Sequence, residues 1–320
     1  MRREGSPWRG LSAVTMKELA DHLSSARMRV LELLVLLTAL AALYGAIRQV
    51  RDTTAEDPFV FLRLFTSASG QLPSFMSILG FLIPLMAIGL GFDAINGEYN
   101  RRTLSRILAQ PIYRDALLLG KFLAGLITLA ISLSGLWLLV IGLGLIMLGV
   151  PPGTEEIARA LAVLVIAIAY AGVWLAAAML FSVVFRSPAT AALTTLGIWL
   201  FLAVLWPLLA PAIASAIAPP DLRAMLTGQP GIAMLEWQQA LLRLSPSQLF
   251  TEAMVALFNP STRALGTIFL SQLHGAVIGA PLPLGQSLLI AWPQTVGLVA
   301  ASIVLFVIGY VCFQRQEVRA

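Results

Sequence analysis

Six apolar runs, each long enough to cross a bilayer, divide this chain. A hydrocarbon core of about 30 Å needs roughly 20 apolar residues in a helix. Windows of that length fall at about Val30–Ile47, Phe75–Ile95, Leu117–Leu148, Ile157–Phe185, Ala189–Ile217 and Leu288–Phe313. Lipid offers no hydrogen bonds to the backbone, so such runs must satisfy their own amides as helices. The expected fold is therefore an all-α integral membrane protein. It has six transmembrane helices, an N-terminal amphipathic interfacial helix, and short outer-leaflet helices between spans five and six. Charge agrees with this, since only 12% of the 320 residues are charged, about half the fraction a water-covered surface carries.

The pattern divides the chain into a cytoplasmic amphipathic helix in 1–29, a six-span domain in 30–313 and a cytoplasmic tail in 314–320. Trp8, Leu11, Leu19 and Leu23 recur near helical spacing, with Lys17, Glu18 and Asp21 between them. Such a segment lies in the headgroup region. The basic stretch before the first span is too long for the n-region of a cleaved signal. Lys and Arg set the orientation: 14 fall in segments placed inside when the N-terminus is inside, against 7 outside. Both termini are expected to be cytoplasmic, in the inner membrane.

The outer segments differ in length. "FVFLRLF", Phe59–Phe65, reads as an interfacial turn of helix. "GVPPGTEE" is a tight outer turn whose acids Glu155 and Glu156 are expected to be solvated. Segment 218–287 shows two short helical patterns punctuated by Pro246 and Pro260. Pro207 and Pro211 near the outer end of the fifth span suggest a broken or re-entrant helix. Gly80, Gly89, Gly91, Gly120, Gly125 and Gly172 are small enough for close helix approach.

The most polar interruption is "NGEYNRRTLSRILAQPIYRDALLLGK", Asn96–Lys121, which is the main cytoplasmic loop under this topology. Thr103 can cap a short helix. Leu104, Ile107 and Leu108 form an apolar stripe, and Arg102 and Arg106 lie one turn apart. Its five cations have a plain reading as topology markers that meet lipid phosphates. A second reading is an amphipathic helix that docks into a groove on a soluble partner.

This stretch resembles the membrane subunits of ABC-2 type transporters, and most closely the permeases found beside multicopper-enzyme maturation systems. Glu98 matches the family's acidic position, Thr103–Leu104 its "GTL"-like turn and Ile107–Leu108 its apolar pair. Pro111, Ile112 and Arg114 match the proline–arginine segment, and Leu119–Gly120–Lys121 the start of the third span. "LSPSQLF", Leu244–Phe250, extends the likeness to the outer segment. Arg102 stands where the family has glycine.

The resemblance implies a homodimeric permease driven by two copies of a separate ABC ATPase. The ATPase would dock on a coupling helix that includes Glu98, Arg101, Arg102, Thr103, Leu104, Arg106, Ile107, Leu108, Pro111, Arg114 and Lys121. ATP and Mg would sit on the ATPase and no cofactor on this chain. Besides lipid, a periplasmic partner protein is compatible with the long outer segment.

The residues agree by omission. "LLLGK" imitates the end of a phosphate-binding loop, but Asp115 occupies its first glycine position. His22, His274 and Cys312 are too scattered for a metal site. The cations are spread beside apolar runs, which fits lipid and not nucleic acid. Glu32 and Asp93 lie near span ends, where they can snorkel or pair with Arg29 or Arg102. A secondary transporter, or an anchor or assembly factor for a periplasmic or respiratory enzyme, are the rival functions. The substrate expected from these apolar walls is hydrophobic or amphipathic, and a conformational signal fits equally well.

Overall fold

The computed structural model describes residues 10–52, 59–67, 73–104, 109, 113–149, 151–218, 231–263, 265 and 281–315. Its helices are α1 Leu11–Ser24, α2 Ala26–Asp52, α3 Val60–Thr66, α4 Phe75–Gly91, α5 Asn96–Asn100, α6 Arg114–Leu148 and α7 Thr154–Val184. After them come α8 Pro188–Leu200, α9 Trp206–Ile217, α10 Ile232–Leu242, α11 Pro246–Phe258 and α12 Leu284–Arg315. A π turn, Phe201–Leu205, joins α8 to α9. Six helical stretches are long and apolar enough to cross a membrane: Ala26–Arg48, Phe75–Asn100, Arg114–Leu148, Thr154–Val184, Pro188–Ile217 and Leu284–Arg315. They agree with the six apolar runs to within a few residues.

The fourth span, α7, is the axis of the bundle. Its Tyr170 and Trp174 are fully enclosed, and α4, α6, α11 and α12 all pack on it. Small residues make this possible. Ala171, Gly172, Ala176 and Ala178 are buried, so neighbouring backbones come close without a bulky side chain between them. One end of the bundle carries α1, α5 and the 185–187 turn, and is called the basic end below. The other, the far end, carries α3, the turn residues 151–153, α10 and α11.

The far end departs from expectation in three ways. First, α3 is tucked into the bundle and does not lie on its surface: Phe61, Leu62, Leu64 and Phe65 are buried. Phe65 stacks on Phe258 with ring centroids 4.9 Å apart, and Phe75 and Trp137 close the cluster. Second, Glu156 is buried, not solvated. Its carboxylate accepts from Phe61 N–H at 2.9 Å and Gly153 N–H at 2.8 Å. Those amides sit at the first turns of α3 and α7, where helices leave N–H groups unpaired and favour negative charge. Glu155 is half-exposed and pairs with Arg159 at 2.8 Å. Arg159 itself is fully buried; it also donates to Leu257 O, Leu282 O and Ser287 Oγ. One guanidinium thus ties the fourth span to the end of α11 and the start of α12.

Third, the fifth span is continuous where its prolines suggested a break. The π turn provides the physical reason. Within it the Trp206 N–H reaches back to Phe201 O, five residues away. The carbonyl of Leu202 then has only residue 207 ahead as a donor, and Pro207 has no N–H. Ser245 fills that gap: its hydroxyl donates to Leu202 O at 3.0 Å. Trp206 Nε1 donates to Leu241 O at 2.7 Å beside it. The helix therefore passes Pro207 because the α10–α11 junction supplies the missing donor, and α9 continues through Pro211. The two short helices expected in 218–287 are α10 and α11, with Pro246 at the first position of α11, where a missing N–H does no harm.

Candidate functional site

At the basic end the second span runs through a short turn into α5, and Ser182 on α7 fixes that junction. Its hydroxyl accepts from Ile95 N–H at 2.9 Å and Asn96 N–H at 3.3 Å. Asn96 Nδ2 donates to Phe185 O and Asn100 Nδ2 to Arg186 O, each at 3.1 Å. The Arg186 guanidinium lies over the Tyr99 ring, 5.3 Å from its centroid. The first polar loop and the 185–187 turn are therefore one joined surface. Sequence reading missed this, because an Asn or Ser gives no sign of a partner some 86 residues away.

After α5 the chain turns sharply. Arg102 has φ 56°, in the left-handed region that costs a side-chain-bearing residue about 1–2 kcal/mol. This accounts for the glycine that the family pattern has at this position. Thr103 closes the turn, with its N–H and hydroxyl both donating to Glu98 O at 3.0 and 3.2 Å. Its capping of a following helix rests on residues outside the described set. Leu104 is buried against its own chain. Arg101 and Arg102 are exposed, and Arg114 is half-buried at the first position of α6. Arg106, Ile107, Leu108 and Pro111 lie outside the described residues, as does Trp8.

Lys121 and Glu98 face inward. Lys121, only 5% exposed, bridges Glu98 at 2.7 Å and Glu18 of α1 at 3.0 Å. One ammonium thus joins the N-terminal helix, the loop after the second span and the third span. Gly120 makes the approach possible: a Cβ there would lie 2.7 Å from Val14 Cγ1. The face of α1 that packs inward is Val14 and Glu18, whereas Leu23, expected on the apolar face, is exposed.

A second pair secures the same corner. Arg27 grips Asp93 with both nitrogens, at 2.9 and 2.6 Å, donates to Gly89 O at 2.8 Å, and covers Phe92. Arg27 thus takes the place expected of Arg29 or Arg102, because the start of α2 lies directly beside the end of α4.

Between these pairs lies a cavity of about 410 Å³. Lys17, Arg27, Arg101 and Lys121 face Glu18, Asp21, Asp93 and Glu98 across it, so the charges balance. The cavity is built to hold the elements around it together. Burial pushes the Glu18 carboxyl up, but the Lys121 ammonium and the hydrogen bonds from Lys17 and Lys121 outweigh it and hold the group below its ordinary value. Burial lowers His22 despite the nearby Glu18 and Asp93 carboxylates.

Comparison with known proteins places this geometry. The family description "ABC-2 family transporter protein" matches residues 12–318. A probable ABC transporter permease protein NosY of Stutzerimonas stutzeri is 29% identical over 254 residues, covering 79% of this chain and 82% of that relative. The protein of the same description from Pseudomonas aeruginosa is 29% identical over 249 residues, covering 74% and 78%.

Proposed function

The chain belongs to the ABC-2 family of transporter proteins, and on that premise we propose that it is the permease subunit of an ATP-driven exporter whose ATPase docks at the basic end. Two copies of the permease would work with two ATPase chains, which carry the ATP and Mg. The basic end would face the cytoplasm across the inner membrane, in keeping with the cation bias. ATPase movement would drive a hydrophobic or amphipathic substrate outward, or pass a conformational signal to the far end.

The observation that carries this reading is the bolting of the loop base. Ser182, Asn96, Glu98 and Lys121 join the loop to the second, third and fourth spans and to α1. A displacement of the loop by a docked partner therefore moves these helices together, as coupling through a contiguous network requires. Arg101 and Arg102 stand exposed on the loop as rim charges; of the two anchors that the sequence pattern offers, Leu104 and Leu108, Leu104 is buried within its own chain, which leaves Leu108.

The test is co-purification of this chain with an ABC ATPase subunit. Leu108→Ala is expected to weaken association by roughly 30-fold, equivalent to about 2 kcal/mol. Arg102→Ala/Arg106→Ala should weaken it less and in a salt-dependent way. Full retention of ATPase binding and stimulation by the Leu108 variant would remove the loop from the coupling role.

A further inference from the structure

Just beyond the basic-end cavity, the first, second and third spans enclose a cleft of about 470 Å³, within the ~300–1,000 Å³ of small-molecule sites. Leu33 and Leu36 of α2, Met86 of α4, and Ile131, Leu136 and Leu139 of α6 give it apolar walls. Leu33 and Leu37 are more than half exposed beside it, so it opens where lipid would stand.

One carboxylate interrupts these walls. Glu32 accepts a hydrogen bond from the Ser132 hydroxyl at 2.8 Å. Among the described residues Ser132 is its only polar partner, and the second carboxylate oxygen is left open to the cleft. Arg29 lines the same space, but its Nη2 donates to Ser24 O at 2.9 Å, back at the α1–α2 junction. A carboxylate has room for about four hydrogen bonds, and an ionisable group in a span is costly unless something answers it. Of the other ionisable side chains near this depth, Arg27 and Asp93 are spent on each other, and Arg29, although it lines the cleft, is turned to the Ser24 carbonyl and not to the Glu32 carboxylate.

We infer that this cleft is a binding site for a lipophilic primary amine drawn from the bilayer. The protonated amine bonds the free oxygen of Glu32, and its aliphatic body lies along Leu36, Ile131 and Leu139. An anionic amphiphile meets the Glu32 charge, and a neutral one offers its open oxygen no ionic partner. The site rests on the first, second and third spans and binds without an ATPase, so it stands apart from the coupling role proposed above.

The test uses the full chain in uncharged dodecyl maltoside micelles. A dodecyl primary amine bearing a terminal diazirine, and its matched alcohol, are photolysed with the protein and the labelled peptides mapped. The amine is expected to label α2 around Glu32–Leu36 and α6 around Ile131–Leu139 at least about tenfold more than the alcohol, as a charge-assisted bond requires. Glu32→Gln should reduce amine labelling to the level of the alcohol. A Cβ at Gly135 would meet nothing within 4 Å, so Gly135→Leu should fill the cleft and remove both labels while the bundle stays folded. Equal labelling by amine and alcohol in the unaltered protein overturns the inference, even if Glu32→Gln fails to fold. Retention of the amine preference in Glu32→Gln overturns it too. So does absence of cleft labelling together with disulfide crosslinking of Gly135→Cys between two copies, because a second chain then covers the cleft.

Discussion

The fourth and fifth spans are similarly apolar by composition, yet 78% of the fourth span's central window is buried and only 11% of the fifth's. Their residues explain the difference. The fourth span alternates Ala and Gly with a few large aromatic groups, a surface against which backbones can close. The fifth carries Leu193, Val204, Leu205 and Leu208 outward, each at least half exposed. Hydropathy says that a segment belongs in lipid. The distribution of small residues says whether it belongs in the middle of a bundle.

The comparison can be broken most directly at the polar anchor of the fourth span. Arg159→Ala removes four hydrogen-bond partnerships at once and leaves two buried carbonyls unanswered. It should cost about 3 kcal/mol or more in denaturant titration of the solubilised protein. Next comes Gly91, where the second span meets the fourth. A Cβ there would stand 2.8 Å from Ala178 Cβ and 3.1 Å from Leu175 O, so Gly91→Leu is expected to cost about 2–3 kcal/mol. Leu208→Ala on the fifth span, at 71% exposed, should change stability by no more than about 0.5 kcal/mol. Similar losses for Gly91→Leu and Leu208→Ala would show that the two spans are packed alike.

Between these extremes sits α1, held by charge more than by packing, so pH should release it first. Glu18 titrates below its ordinary value of 4.5 when docked, so its stabilisation is complete above 4.5 and is lost as pH falls through the lowered value. His22 is lowered below 6.5 by burial, so a detached α1 takes up a proton that the docked one resists. For both groups the released form binds more protons, so docking weakens as pH falls. Protection of the Val14–Leu19 amides, taken relative to the intrinsic exchange rate at each pH, should be highest near pH 7.5, lower below 6.5 and lower again below 4.5. Protection that rises in acid would refute the ion-pair account. At the loop itself the sign reverses: Arg102→Gly should raise stability by roughly 1 kcal/mol by relieving the left-handed backbone, seen as a higher denaturant midpoint.

The six spans were legible because a 20-residue apolar run has few other fates, and the family pattern around Glu98–Lys121 was legible because its spacing is local. Arg102 was legible only as a departure from the pattern's glycine; the structure supplies the reason for that glycine, a φ of 56°. Glu156 and Ser182 were not legible as anchors. Each serves backbone amides on another helix, and sequence spacing carries no record of which helix ends meet. The fifth span misled for a related reason. Pro207 signals a lost hydrogen bond, but its repair comes from Ser245, on a different element.

The bridge between Glu18 and Lys121 also bears on the order of assembly. The two residues are 103 positions apart, which at about 5–20 residues per second of synthesis is roughly 5–20 s. For that interval α1 exists without the ammonium that makes burial of Glu18 tolerable, so it must wait at the membrane surface with its carboxylate in water. The N-terminal helix is therefore seated only after the third span has been made, and its docking marks that arrival.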